Sequence, residues 1–306
     1  MKAKKIRMPD INLIQLYSLC FIPMLLVFVF SYLPMFGIII AFKDYSLGLG
    51  IMKSPWNGLD NFTYFFKSDA FWKIAWNTVS LNLIFIFAGL IAQVALAILL
   101  FNITKRVYVK IYQTIYITPN FLSWVVVGYM AYAFLNPEYG FINKMLEAVG
   151  VQGVAWYSRA ELWPWILTFF SIWKSVGINA VIYYAALMGI DKTLFEAAEI
   201  DGAGKWTVIK AIIIPVLVPL MVTLTILAIG GIFRADFGMF YQLTRDIGTL
   251  YSTTDVMDTY IFRTMRVIGD MSTSAAAGLL QSVVGFVMVI LTNKLAKLLD
   301  PENGLF

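Results

Sequence analysis

Histidine is absent from this chain of 306 residues, and cysteine occurs once, at Cys20. Those two shortages exclude a Ser-His-Asp triad, a Cys-His pair, an HExxH site and a four-cysteine zinc site. A lone cysteine forms no internal disulfide, so the sequence fixes no redox compartment, and the apolar run around Cys20 predicts a packing role. Charge is scarce too: 13% of residues are Asp, Glu, Lys or Arg, against roughly 25% in soluble domains. What fills the space is apolar, with 60% hydrophobic residues and a mean hydropathy of +0.78. A chain this apolar has too much surface to hide to remain a solvated coil. The net charge of +5 would point to nucleic acid only if the basic residues formed a patch or stripe. They do not, so no nucleic-acid partner is expected.

The charges instead separate long uncharged runs, over 11–42, 74–104, 111–137, 211–233 and 271–293, with a sixth, 162–190, interrupted only by Lys174. Each exceeds the ~20 residues an α-helix needs to cross a ~30 Å hydrocarbon core. Strands of a membrane barrel would be ~9 to 11 residues long with alternating polarity. The expectation is therefore an all-α membrane protein of six transmembrane helices, a single domain over 1–306. The first run follows Lys2, Lys4, Lys5 and Arg7, but it is longer than a signal peptide's apolar core and ends without an Ala-x-Ala site. It predicts a retained first helix, bent or ended near Pro34 and Gly37.

Loop charges set the orientation. Segments on the N-terminal side carry 12 Lys or Arg in 49 residues, and those on the other side 10 in 92. The positive-inside rule then places both termini in the cytoplasm. Trp72, Trp76, Trp163 and Trp165 fall near span ends, as an interfacial aromatic belt would have them. The long segments 43–73 and 234–270 lie on the outer side in this reading, and loops of such length are usually functional.

Between the fourth and fifth runs lies the most informative stretch, 191–215. Thr193, followed three residues on by Glu196, predicts a capping box with a helix starting at Leu194 and stopping at Gly202, where a left-handed residue closes it. So short a helix needs a docking surface. Leu194, Phe195, Ala198 and Ile200 offer apolar contacts, and Glu196, Glu199 and Asp201 suit a basic rim. Packing under the chain's own bundle accounts for the same periodicity. The fragment Gly202-Ala-Gly204-Lys205-Trp206 imitates a P-loop, but Glu199 stands where the first glycine belongs and Trp206 where Ser or Thr would hold Mg²⁺.

Glu196-Ala197-Ala198, three residues, Gly202, nine residues, Ile212, one residue, Ile214 and Pro215 resembles the EAA loop of permease subunits of binding-protein-dependent type I ABC importers. Ile214 replaces the pattern's Leu, a volume-conserving change. The stretches 118–143 and 173–204 resemble the oligosaccharide-importing subgroup, the LplB-like or polysaccharide-type permeases, and the likeness covers nearly the whole chain. It implies a cell-membrane subunit of a bacterium, multi-pass, that is not itself an enzyme. It also implies a coupling helix carrying Leu194, Phe195, Glu196, Ala197, Ala198 and Gly202, seated in a cytoplasmic ATPase dimer that binds the ATP and Mg²⁺. The chain itself would hold no cofactor or metal. Further implied partners are a carbohydrate substrate, an extracytoplasmic solute-binding protein and a second permease. The likeness favours a different, homologous chain for the last, and the sequence does not exclude a homodimer.

Within the spans, Lys174 is the one charge, and an intramembrane charge marks function by default. It would donate to a substrate's hydroxyls or acidic groups, or else pair with another subunit or with helix-end carbonyls. At ~100° per residue, Tyr184 lies about 80° from Lys174, Asn179 about 140° and Tyr183 about 180°. Lys174 and Tyr184 are thus expected to share a path, with Asn179 as a further candidate and Tyr183 packing elsewhere. Gln93, Asn120 and Gln281 are polar enough to line a path or to hydrogen-bond between helices. No run contains a carboxylate, which argues against a proton-coupled secondary transporter; the alternative function is a secondary transporter or channel not coupled to an ATPase.

Overall fold

The computed structural model describes residues 11–299; the basic residues before position 11 lie outside them. Five helices are long and apolar enough to cross a membrane. The first is α1 (Ile11–Val27), which runs on through a wide turn at Phe28–Tyr32 into a tight 3₁₀ stretch, Leu33–Phe42. The change of winding falls at Pro34, whose ring fixes φ and removes a donor. The others are α2 (Asp69–Phe101), α5 (Trp163–Met188), α7 (Ile214–Gly230) with the turns before it, and α10 (Met271–Leu299). At about 1.5 Å per residue, the 33 residues of α2 reach ~50 Å, so it extends beyond the hydrocarbon core.

The third uncharged run departs from expectation. It is not one helix but two, α3 (Arg106–Ile117) and α4 (Trp124–Leu135), separated by a 3₁₀ turn at Thr118–Phe121 and an extended Leu122. Pro119 cannot donate a backbone hydrogen bond, and Ser123 restarts the helix by accepting from the Val126 N–H. Hydropathy counts the apolar residues on both sides of such a break and does not see the break itself.

The longest helix interface joins α2 to α5. Leu81 of α2 clusters with Trp163 and Leu167 of α5, while Val94 and Ala97 cluster with Ala180, Tyr183 and Leu187. Those pairings rise together along both helices, so the two run parallel. The second cluster continues to Ile213 and Leu217 at the start of α7. In a bilayer, lipid tails compete on equal terms for apolar surface, so helix contacts depend on close packing and internal hydrogen bonds. Gly177 is the clearest instance: a Cβ there would stand 1.9 Å from the Tyr116 carbonyl oxygen. Backbone meets backbone where α3 crosses α5.

The end of the bundle opposite the 191–210 loop is covered by short helices. Among them are α8 (Phe237–Thr244) and α9 (Met257–Arg263). Asp236 caps α8 and also accepts from Trp124 Nε1 at 2.6 Å. Arg263 pairs with Asp246 and Asp255 and lies 4.0 Å from the Tyr251 ring centroid. Burial pushes the Asp255 carboxyl up, and Arg263 works against that shift. Trp163, read as a belt residue, is instead fully buried, its Nε1 donating to the Trp156 carbonyl. Trp72, Trp76 and Trp165 are exposed. Cys20 is exposed on α1 rather than packed within the chain, because that helix buries little of its surface against the others.

Gly177→Ala is expected to lower the thermal unfolding midpoint of the detergent-solubilised protein by the overpacking cost of about 1–3 kcal/mol. Gly37→Ala, where nothing lies within 4 Å, serves as the control. Equal midpoints for the two variants would refute the backbone contact.

Candidate functional site: a loop helix and a polar cavity

The loop between the fourth and fifth runs folds as α6 (Lys192–Ile200). It begins two residues earlier than the expected start at Leu194, because Asp191, not Thr193, is the cap: its carboxylate accepts from the Thr193 N–H at 3.0 Å. That backbone hydrogen bond holds the Asp191 carboxyl below its ordinary value. The predicted stop is present in full. Gly202 sits at φ +70° and donates to the Glu199 carbonyl, and the Ala203 N–H reaches back to Ala198 at 2.9 Å. This is the Schellman closure that satisfies the last carbonyls of a helix. Both ends of a nine-residue helix are therefore fixed without help from outside.

Which face of α6 is engaged follows from burial. Phe195 and Ala198 are half-buried, with Phe195 packed 5.6 Å from the Phe101 ring at the end of α2. Leu194, Glu196, Ala197, Glu199 and Ile200 are exposed. Counting ~100° per residue, Glu196, Ala197 and Ile200 form the side opposite the Phe195–Ala198 edge. Phe195 thus fastens the helix to its own bundle rather than reaching outward. Ile200 is 87% exposed and Trp206, just beyond, 76%.

Polar side chains within the helices sort by their partners. Lys174 donates to the Asn120 carbonyl at 2.8 Å and lies 5.2 Å from the Trp124 ring. It reaches the backbone at the break between α3 and α4. Asn82 donates to the carbonyls of Ile232 and Arg234, and Gln281 to that of Phe233 and to Asp258. Each supplies a donor where the chain leaves helical geometry. Gln93 and Asn179, by contrast, make no side-chain hydrogen bond among the described residues, and both line a cavity of about 390 Å³ between α2, α5 and α7. The Tyr183 side chain borders it too, as does Arg234 past the end of α7.

Lys174 and Tyr184, expected to share a path, do not line this cavity; Asn179 and Tyr183 do. Tyr184 packs against the cluster around Ala180 and Leu187. The helical-wheel angles were sound, but they were drawn from Lys174, which the backbone break claims. Arg234 was missed because it falls outside an uncharged run, although its position at the end of one was the available signal.

A family model described as "Binding-protein-dependent transport system inner membrane component" matches residues 85–301. The chain belongs to this family. It is 37% identical over 292 residues to Protein LplB of Bacillus subtilis, covering 94% of this chain and 90% of that one. It is 33% identical to the polygalacturonan/rhamnogalacturonan transport system permease protein YteP of the same organism, over 90% of this chain and 85% of the other. Among solved structures, it resembles a chain of a bacterial ABC transporter involved in import of the acidic polysaccharide alginate. The TM-score is 0.83 at 31% identity, covering 94% of this chain and 96% of that one. The same alginate transporter in complex with alginate pentasaccharide-bound periplasmic protein matches with a TM-score of 0.81 at 31% identity, over 95% and 96%. The chain therefore has the permease fold of an ABC importer, and its uncharged helices are those of a multi-pass membrane component.

Two variants separate the roles assigned above. Lys174→Met removes a charge-assisted bond to the Asn120 carbonyl, so the detergent-solubilised permease is expected to lose about 1.5–3 kcal/mol of stability. Gly202→Val meets no atom within 4 Å but keeps φ +70°, which a β-branched residue adopts only with strain. Hydrogen exchange is expected to quicken over 192–203 while the global unfolding midpoint stays put. Unchanged exchange in Gly202→Val, or an unchanged midpoint in Lys174→Met, would contradict these roles.

Proposed function

We propose that this chain is one of two permease subunits of an ATP-driven importer and forms part of the path of a carbohydrate, an oligosaccharide delivered by an extracytoplasmic binding protein. The second subunit is a different, homologous permease. ATP and Mg²⁺ are bound by a separate cytoplasmic ATPase dimer, and this chain's part is to move substrate rather than to catalyse. The reading places the 191–210 loop and both termini in the cytoplasm of a bacterial cell, in line with the denser basic charge on that side.

The observation that carries the proposal is the EAA segment on α6. The helix is closed by its own cap and Schellman turn, spends Phe195 on the bundle, and leaves Glu196, Ala197 and Ile200 outward at the membrane's loop end. An exposed face with an isoleucine 87% accessible suits a groove in a partner, where helix and groove bury each other's apolar surface. The substrates for which the relatives are named, polygalacturonan and rhamnogalacturonan for one and alginate for another, support a saccharide. The unpaired amides of Gln93 and Asn179 suit sugar hydroxyls, which both donate and accept. A secondary transporter or channel independent of an ATPase is not favoured by these relatives.

In the intact complex purified from membranes, Glu196→Lys is expected to cut ATP hydrolysis stimulated by the loaded binding protein at least about tenfold. Reversing a charge in a docked interface costs more than 1.4 kcal/mol. Membrane insertion and the amount of permease should be unchanged, since Glu196 is exposed. Full stimulation in the variant would sink the coupling assignment.

A further inference from the structure

Arg234 stands where two cavities meet. It borders both the cavity of about 390 Å³ that holds Gln93 and Asn179 and a second of about 450 Å³ against α10, and Gly231 is the other residue common to both. Its backbone is held in place: the Arg234 N–H donates to the Gly231 carbonyl, and Asn82 donates to the Arg234 carbonyl at 3.2 Å. Arg234 is exposed. Among the described residues the ion pairs are those of Arg263 with Asp246 and Asp255, so Arg234 has none.

The carboxylate that shares a cavity with Arg234 makes its hydrogen bonds to other groups. Asp258 lines the second cavity, yet its Oδ2 already accepts from the Ala235 N–H at 2.8 Å and from Gln281 Nε2 at 2.9 Å. Burial pushes the Asp258 carboxyl up, while its hydrogen bonds and the charge of Arg234 work against that shift. The first cavity has no carboxylate among its lining residues. An arginine presents five donors in a fixed fork that matches a carboxylate in two parallel hydrogen bonds. Gln93 and Asn179, which line the same cavity, present both donors and acceptors.

We infer that Arg234, presented at the junction of the two cavities, is a binding subsite for the carboxylate of an acidic sugar. This inference rests on the carbohydrate-import reading and narrows it to saccharides that carry uronate groups. Gln93 and Asn179 would then meet the hydroxyls of a neighbouring ring.

The test is direct binding to the intact permease–ATPase complex in lipid nanodiscs without the binding protein. The probes are hexagalacturonate and its fully methyl-esterified form, which has the same length and no charge. The unmodified complex is expected to prefer the acid about tenfold, the value of one charge-assisted bond pair, with a preference that shrinks as salt is raised. Arg234→Gln should abolish that preference by weakening acid binding more than ester binding, while Arg234→Lys should keep part of it. Equal binding of acid and ester by the unmodified complex, or a preference that survives Arg234→Gln, overturns the inference. ATP-driven uptake in proteoliposomes distinguishes the two levels. A complex that takes up no oligosaccharide at all contradicts the importer reading, whereas one that transports but binds acid and ester alike contradicts the subsite alone.

Discussion

Where the chain leaves helical geometry in or beside the membrane, backbone groups lose their helical partners, and several of them are answered by a side chain from a neighbouring element. Lys174 answers the break between α3 and α4, Asn82 and Gln281 the chain after α7, and Asn77 the Asp255 carbonyl. At the end of the first span, Asn61 donates to the carbonyls of Ala41 and Lys43. These bonds tie together elements far apart in sequence, and they explain why polar residues recur in otherwise apolar runs. They also isolate the few polar groups that serve no such purpose. Gln93 and Asn179 stand out because their side chains make no hydrogen bond among the described residues and line the cavity.

The two halves of the candidate machinery lie at different depths and share helices. Phe195 of the loop helix packs on Phe101, the last residue of α2, and the same α2 lines the polar cavity through Asn82 and Gln93. The helix α5 likewise lines the cavity at Asn179 and joins the loop-end cluster at Leu187. In the proposed importer, a displacement of the loop helix would reach the cavity walls through these shared helices.

Much of this was legible in the residues. Five of six uncharged runs became long apolar helices, and the Thr193–Glu196 spacing with Gly202 predicted the loop helix and its glycine stop, since both depend on local chemistry. The start of that helix was misplaced because Asp191 and Thr193 are both good caps, and only the backbone decides between them. The break at Pro119 was hidden because hydropathy averages across it. The role of Lys174 was legible only as one of two alternatives: whether a lone intramembrane lysine faces a path or a broken backbone depends on which segment crosses it. That crossing is set by Gly177, three residues on, through a contact no periodicity records.

The contact at Gly177 has a mechanical meaning. Side chains packed between helices act as cushions that absorb small shifts by changing rotamer, but here the Tyr116 carbonyl lies where a Cβ would be. With no cushion, α3 and α5 behave as a single stiff strut, pinned a second time by Lys174 one turn away. Any rocking that opens one side of the bundle must carry both helices together. The compliance needed for movement then falls to the sparsely packed first span, whose apolar surface is largely left to lipid or to a companion chain.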